Sequence, residues 1–412
     1  MKQPALMETV AAAVRPQLIS KYFFLILFGS LFANLALQFF NATTSLYVES
    51  LGGTASFTGI LLTLFTIAAM VVRILTGRLV DTKGRRMIII TGLLIFALAS
   101  VSFAIFPYLG ALPVLRFIQG VGFSISATAL AVAITDVIPK ERMGEGIGYF
   151  GLGQAIPTAV GPAAAIGLIA GHHFNSVFYA AAAVLLLGAG LIAFCDYEKK
   201  SPAKSGLKVN AETGNKAVLS VAGPSGRLWV YFEKTAIPCT VISLFSSIAV
   251  SATTAFLLLF AFERGIEHAG LYFTLSAVCM VIARLSTGKL TDRYGPMYTL
   301  FPGFLMMILG FIMLMASSSY PVLYYISGIL AGLGNGIIAP ALNATVIKAA
   351  PDNRRGAASA TFLISFDVGF GIGGLLWGIV IDAAGYTAMF FGCALLMAVA
   401  LSLSVFFFGR KA

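Results

Sequence analysis

Charged residues are scarce in this sequence: Asp, Glu, Lys and Arg make up only 10% of the chain, against 59% hydrophobic residues. So few charges cannot cover the surface of a water-soluble fold of this length, so a soluble protein is excluded and the bilayer must be the solvent. Histidine is rarer still. The three residues, His172, His173 and His268, fall in short outside loops that would have to converge to hold a metal, so no metal site is expected. The four cysteines, Cys195, Cys239, Cys279 and Cys393, are scattered without a CxxC spacing, which excludes a disulfide framework and a zinc site and leaves them as packing residues. There is no nucleotide-binding loop, no cluster of His or carboxylates at catalytic spacing and no soluble signalling domain. An enzyme is therefore not expected, nor is a cofactor.

Long apolar runs are abundant. A helix needs about 20 apolar residues to cross the hydrocarbon core, and twelve such runs occur, from Tyr22–Tyr47 to Ala388–Phe408, six on each side of residues 195–236. They are too long for barrel strands and lack period-two alternation, and in lipid each backbone amide must bond within its own segment, so all are expected to be helices. The first run is of full span length with no cleavage site before it, and is expected to be a retained helix rather than a signal peptide. Residues 195–236 are rich in Lys, Ser, Gly and Pro and read as a linker, closing with LWVYFEKTAIP, which suits a short interfacial helix. The expected domains are thus 1–194, a linker 195–236, and 237–412.

The formal net charge of +11 would suggest nucleic acid in a soluble protein, but here its distribution decides the meaning. With the N-terminus inside, 23 of the 27 basic residues fall in inside segments, only Arg264 falls in an outside loop, and Arg73, Arg116 and Arg284 lie within spans. The positive-inside rule then puts both termini in the cytoplasm of a multi-pass cell-membrane protein, and nucleic acid is not a partner. The outside loops are short, which argues against a receptor that captures a ligand outside the membrane.

One twelve-residue stretch occurs twice. Arg73–Gly84 reads RILTGRLVDTKG, and 211 positions later Arg284–Gly295 reads RLSTGKLTDRYG. A shift of 212 then places Gly120 and Gly122 on Gly332 and Gly334, and Gly161 on Gly373. The chain is therefore two copies of one membrane unit, an architecture in which the solute site lies at mid-depth between halves that rock.

These residues resemble the major facilitator superfamily over essentially the whole chain. Gly77, Leu79, Asp81, Gly84, Arg85 and Arg86 match the family's turn between the second and third spans, with Thr82 where Arg is usual; the second copy keeps Gly288, Leu290, Asp292, Arg293 and Gly295, with Pro296 where a basic residue is common. The resemblance implies an all-α membrane fold of twelve helices in two pseudo-symmetric six-helix bundles, working as a monomer. It also implies that the turn latches the halves on the cytoplasmic side, with Gly77, Asp81, Gly84, Arg85, Arg86, Asp292 and Arg293 as gating residues. Chemically, Gly84 permits a positive-φ turn and Asp81 can cap amides or pair with Arg.

The fourth span opens LPVLRFIQGVGFS, resembling a family motif with an intramembrane Arg116, then Gln119, Gly120 and Gly122. The fifth, GYFGLGQAIPTAVGP, resembles the motif of the drug-exporting antiporters through Gly148, Gly161 and Pro162, although Pro157 replaces a Gly and Ala165 with Ile166 replaces a terminal Gly pair. Gly148, Pro157, Gly161 and Pro162 would leave that helix bendable and closely packed. The wording IPTAVGP with an acidic eleventh span is also similar to bacterial opine-metallophore exporters.

Of the sixteen acidic residues only Asp367 lies deep, about ten residues or roughly 15 Å into the eleventh span. An acid there is a candidate for reversible protonation, the alternative being a helix-to-helix hydrogen bond. Arg116, roughly 6 Å below the outer surface, would be offset from it by about 9 Å, so direct contact is not expected. Arg116 has Gly328 as its repeat counterpart, which favours a coupling or anion-attracting role over a staple for backbone carbonyls. Arg73 and Arg284 are placed alike in both halves and are expected to snorkel or to pair structurally.

In this resemblance the first, fourth, seventh and tenth spans line the cavity, which makes Asn34, Gln38, Asn41, Gln119, Phe245, Asn335 and Asn343 candidate contacts for a small polar or amphipathic solute, with many Ser and Thr instead bonding back to their own helix. The expected function is proton-coupled export of a small organic solute, with protons and lipid as the other partners. Uptake or facilitated diffusion, and a non-transporting sensor, are the competing readings.

Overall fold

The computed structural model describes residues 20–139, 142–170, 174–196, 233–351 and 355–409. Among them there is no strand. The helices are α1 (Lys21–Ser50), α2 (Ala55–Lys83), α3 (Arg85–Ile105), α4 (Leu112–Val137), α5 (Met143–Phe150, a turn at Gly151, then Leu152–Ala170) and α6 (Asn175–Ala193). After the linker come α7 (Ile237–Glu263), α8 (Leu271–Tyr294), α9 (Pro296–Ala316) and α10 (Val322–Ala349). A last helical run, Arg355–Phe408, turns at Gly385, where φ is 77°, so it is two helices joined without a loop, α11 (355–384) and α12 (386–408).

Ten helices among the described residues are long and apolar enough to cross a bilayer, and the longest of these, Thr361–Phe408, contains the Gly385 break. The helix α8 is apolar over Leu271–Arg284 only, because the charged repeat Lys289, Asp292 and Arg293 occupies its last turns. Of the twelve expected runs, the described residues thus show ten helices of spanning length, the last of them broken at Gly385, and one shorter apolar helix. The expected linker lies outside the described residues, apart from its two edges: residues 195–196, and residues 233–236 with the short turn Lys234–Ala236.

The repeat seen in sequence is a repeat in space. Gly84 and Gly295 end α2 and α8 with φ of 83° and 87°, a left-handed backbone that glycine adopts without penalty. In one half α4 presses Gly120 onto the Phe65 carbonyl of α2, and in the other α10 presses Gly332 onto the Ser276 carbonyl of α8. A Cβ at these glycines would stand 2.4 and 2.0 Å from those oxygens. Lipid tails are as apolar as Leu, so helices gain little by burying large side chains against each other. Small residues that let backbones meet carry the association instead. Inside the first half, a buried aromatic cluster of Phe40, Phe103, Phe178 and Tyr47, with ring centroids 4.9–6.5 Å apart, fills the space between α1, α3 and α6.

The halves meet along two seams, α2 against α11 and α5 against α8, with α1 and α7 also in contact. On the side away from the Gly84 and Gly295 turns the contact is backbone to backbone: a Cβ at Gly59 would lie 2.2 Å from the Gly374 carbonyl, and one at Gly378 2.6 Å from the Ala55 carbonyl. Asp382 of α11 accepts from the amides of Ala55 (3.1 Å) and Ser56 (2.9 Å), so a carboxylate from the second half caps the positive end of a helix in the first.

Gly120→Ala and Gly332→Ala should each lower the melting temperature of the detergent-solubilised protein, although Ala is the better helix former by about 1 kcal/mol. Gly190→Ala on α6, where the added methyl meets open space, should be neutral or stabilising in the same measurement.

Candidate functional site

Asp367 is twelve residues into α11 and Arg73 ten residues before the end of α2. The two helices run in opposite directions, so both side chains lie at nearly the same depth, within about 3 Å at 1.5 Å per residue. They form an ion pair, Arg73 Nη1 to Asp367 Oδ2 at 2.9 Å, with side chains 38% and 18% exposed. The pair joins the two halves at the inner edge of the glycine-packed seam, where Thr63 Oγ1 also donates to the Gly371 carbonyl over 2.6 Å. A groove of about 430 Å³ runs beside it, lined by Thr63, Thr66, Met70, Asp367 and Gly371. Either charge alone would be expensive at this depth, roughly 3 kcal/mol on insertion scales, and a paired arrangement with a half-exposed guanidinium lowers that cost.

Arg116 is elsewhere. It is 3% exposed, near the far end of α4, and its guanidinium donates to Thr44 Oγ1, to the Phe40 carbonyl (3.4 Å) and to Gln119 Oε1 (3.3 Å). The rings of Phe40 and Phe65 lie 5.5 and 5.8 Å from it, so the cation is enclosed by α1, α2 and α4 within one half. Arg116 and Asp367 thus belong to separate networks.

The polar candidates of α1 bond among themselves and to α5. Asn34 donates to the Ser30 carbonyl (2.8 Å), Asn41 to Gln38 Oε1 (3.2 Å), and Gln38 to Thr158 Oγ1 (2.8 Å). Gln119 is fully buried beside Arg116, and Phe245 packs half-buried against the core. Asn335 borders a small pocket of about 40 Å³ with Ser243 and Ser247. Only Asn343 of these seven lines the large cavity, about 870 Å³, which separates α5 from α8, α10 and α11 on the turn-bearing side; Tyr149, Gln154, Arg284, Pro340 and Phe366 share its wall. Among the described residues no group of His, Cys, Asp and Glu could hold a metal ion.

The gating candidates divide. Arg85 pairs with Asp136 at the end of α4 (3.0 Å), and Arg86 with the Ala193 carbonyl at the end of α6 and with Asp196 beyond it. Both ties stay within the first half and brace the start of α3. The surroundings of Gly77 and the side chains of Asp81 and Asp292 lie outside what is described, and Arg293 is exposed in the last turn of α8. In α5, Gly148 lines the cavity, Pro157 and Pro162 interrupt the amide ladder, and Gly161 meets the Cβ of Gln38 so closely that an added methyl would stand 2.6 Å away.

Arg73 was not among the residues that sequence reasoning selected for the site. Counting depth from one membrane face along both antiparallel helices would have found it, because Arg73 and Asp367 then fall level. The repeat pointed the other way, since symmetric residues read as scaffold.

Comparison with known proteins agrees with this architecture. Residues 26–272 and 240–412 match the Major Facilitator Superfamily. The chain is 25% identical over 382 residues to the staphylopine export protein of Staphylococcus aureus, covering 90% of this chain and 93% of that one. It is 26% identical over 367 residues to YhhS, an uncharacterized MFS-type transporter of Escherichia coli, covering 87% and 85%. In three dimensions it superposes on the nucleoside transporter NupG with a TM-score of 0.74 over 95% of this chain and 100% of that one, at 14% identity, a likeness of fold. Duplicated turns, paired six-helix halves and an interhalf cavity in a multi-pass membrane chain thus coincide with the family match, and the chain belongs to the major facilitator superfamily of transporters.

Proposed function

We propose that the protein is a proton-coupled exporter of a small organic solute, working by alternating access in the cytoplasmic membrane of a bacterium, as a monomer with both termini inside. The observation that carries this reading is the contrast between the two ends of the interhalf seams. On the far side, backbone lies against backbone and Asp382 caps α2; on the turn-bearing side, a cavity of about 870 Å³ opens between α5 and the helices of the second half. With the positive-inside rule, that cavity faces the cytoplasm, the side from which an exporter loads. Residues 1–194 and 237–412 then rock as two units, with 195–236 as their tether.

The export direction is supported by the Gly and Pro pattern of α5 and by the likeness to the staphylopine export protein, which makes a metallophore-type metabolite the first solute to test. Coupling is assigned to Asp367. Its bond to Arg73 ties the halves together while the acid is ionised, and a proton on the acid would release that tie without leaving an unpaired carboxylate behind. Arg116 serves in this account to hold α1, α2 and α4 as one body. The turn residues Gly77, Asp81, Gly84, Arg85, Arg86, Asp292 and Arg293 act as the cytoplasmic gate when the cavity faces out.

Three outcomes test the proposal. Cells lacking the protein should retain a metabolite that overexpressing cells release, measured by untargeted comparison of cell and medium; retention by the overexpressing strain instead would mean uptake. In proteoliposomes that metabolite should drive proton movement, and Asp367→Asn should reduce the movement to the level of protein-free vesicles, with undiminished antiport overturning the coupling role. In a double-mutant cycle on thermal stability, Arg73→Gln and Asp367→Asn should be non-additive by about 0.5–3 kcal/mol, the double mutant being less damaged than the singles together predict.

A further inference from the structure

The two interhalf seams are related by the internal repeat, and two hydrogen bonds set their register. Thr63 Oγ1 donates to the Gly371 carbonyl over 2.6 Å in one seam, and Thr274 Oγ1 to the Ala159 carbonyl over 3.2 Å in the other. Thr63 and Thr274 are 211 positions apart, Gly371 and Ala159 are 212 apart, the same shifts that align the halves in sequence. Arg73 lies ten residues beyond Thr63, and Arg284 ten beyond Thr274. Asp367 lies four before Gly371, and Ala155 four before Ala159. The place that holds the Arg73–Asp367 ion pair in one seam therefore holds Arg284 and Ala155 in the other.

At this place the second seam has kept the cation, and Ala155 stands where the first seam has its carboxylate. Among the described residues Arg284 meets neither an acid nor a hydrogen-bond acceptor, in contrast to Arg73, Arg85, Arg86 and Arg116. Its surroundings differ as well: Arg284 and Ala155 line the cavity of about 870 Å³, together with Gln154, Tyr149 and Asn343. Asn343 adds a second unfilled valence, since its Oδ1 is buried and accepts no hydrogen bond among the described residues. A guanidinium presents a planar fork matched to a carboxylate, and a buried amide oxygen without a donor is costly, so both groups favour a ligand that completes them.

We propose that this cavity takes an amino carboxylate, whose carboxylate pairs with Arg284 in the position that Asp367 fills against Arg73, and whose amine donates to Asn343 Oδ1. The assignment rests on the export reading for its physiological sense and narrows the solute to an anion-bearing amine. A loaded cavity then has an ion pair on each seam, one made by the protein and one completed by the solute.

The test uses the purified full-length protein and three probes: iminodiacetate; its neutral diamide, which keeps the amine; and glutarate, which keeps two carboxylates and lacks it. Iminodiacetate should raise the melting temperature in a dose-dependent way, glutarate less so, and the diamide not at all. Arg284→Gln should abolish the rise, as should Ala155→Asp, which supplies the missing acid within the protein, whereas Arg284→Lys should keep a rise with roughly tenfold weaker half-saturation. No rise in the unsubstituted protein, an equal rise with the diamide, or a rise that persists in Arg284→Gln overturns the assignment, and equal rises with glutarate and iminodiacetate overturn the Asn343 contact. Export is judged separately by the metabolite comparison, which uses none of these probes; a protein that binds iminodiacetate yet releases no metabolite refutes export and leaves the cavity assignment standing.

Discussion

The structure depends on how closely two helix backbones can approach across the α2–α11 seam. Gly59 against Gly374 and Gly378 against Ala55 bring main chains into direct contact, and the neighbouring Thr63 hydroxyl can reach the Gly371 carbonyl only because of that approach. In lipid this proximity replaces the hydrophobic drive that would hold a soluble interface, and a single interhelical hydrogen bond adds on average only about 0.6 kcal/mol. The Arg73–Asp367 pair follows from the same geometry. At the 2.9 Å of that contact the acid is partnered; with the helices a turn apart it would be a charge in hydrocarbon.

Much of this was legible in the sequence. The duplicated turn, the apolar runs and the shared glycines foretold two related halves, and the solitary depth of Asp367 singled it out. Its partner was harder to read, because a sequence states depth along each helix but not which helices are neighbours. Arg73 looked like scaffold for being repeated, and it is the unrepeated acid opposite that makes it special. The solute contacts were the least legible. Asn34, Gln38, Asn41 and Gln119 are polar residues in apolar helices, and such residues signal a need for a partner without saying whether it is a solute or a neighbouring side chain. Here all four lie beside protein partners, Gln119 accepting from Arg116. The cavity wall of α5 escaped notice because Tyr149 and Gln154 lie on a helix read for its Gly and Pro alone.

Duplication explains both the fold and where it departs from symmetry. Gly120 with Gly332, Gly84 with Gly295 and Thr63 with Thr274 do the same work twice, and these are the positions where backbone geometry leaves little choice. Side chains at the seams are under no such constraint, and there the halves diverge: Asp367 has no acidic counterpart, and Asp382 answers to Ala170, while inside the first half Arg116 answers to Gly328. A symmetric pair of halves would favour its two facings equally. Unequal seams give each facing its own set of broken and formed contacts, which lets a proton or a solute bias one over the other.

Asp382 shows what such inequality means at the outer rim. Its carboxylate covers the first amides of α2, yet Thr54 stands one residue earlier and already accepts from the Phe57 amide. When the acid withdraws, the freed amides meet the headgroup region and water rather than hydrocarbon. Each donor simply exchanges one acceptor for another, and the loss is small beside that of parting two charges at mid-depth. The rim thus behaves as a clasp that opens into solvent, and the resistance to motion resides deeper in the seam.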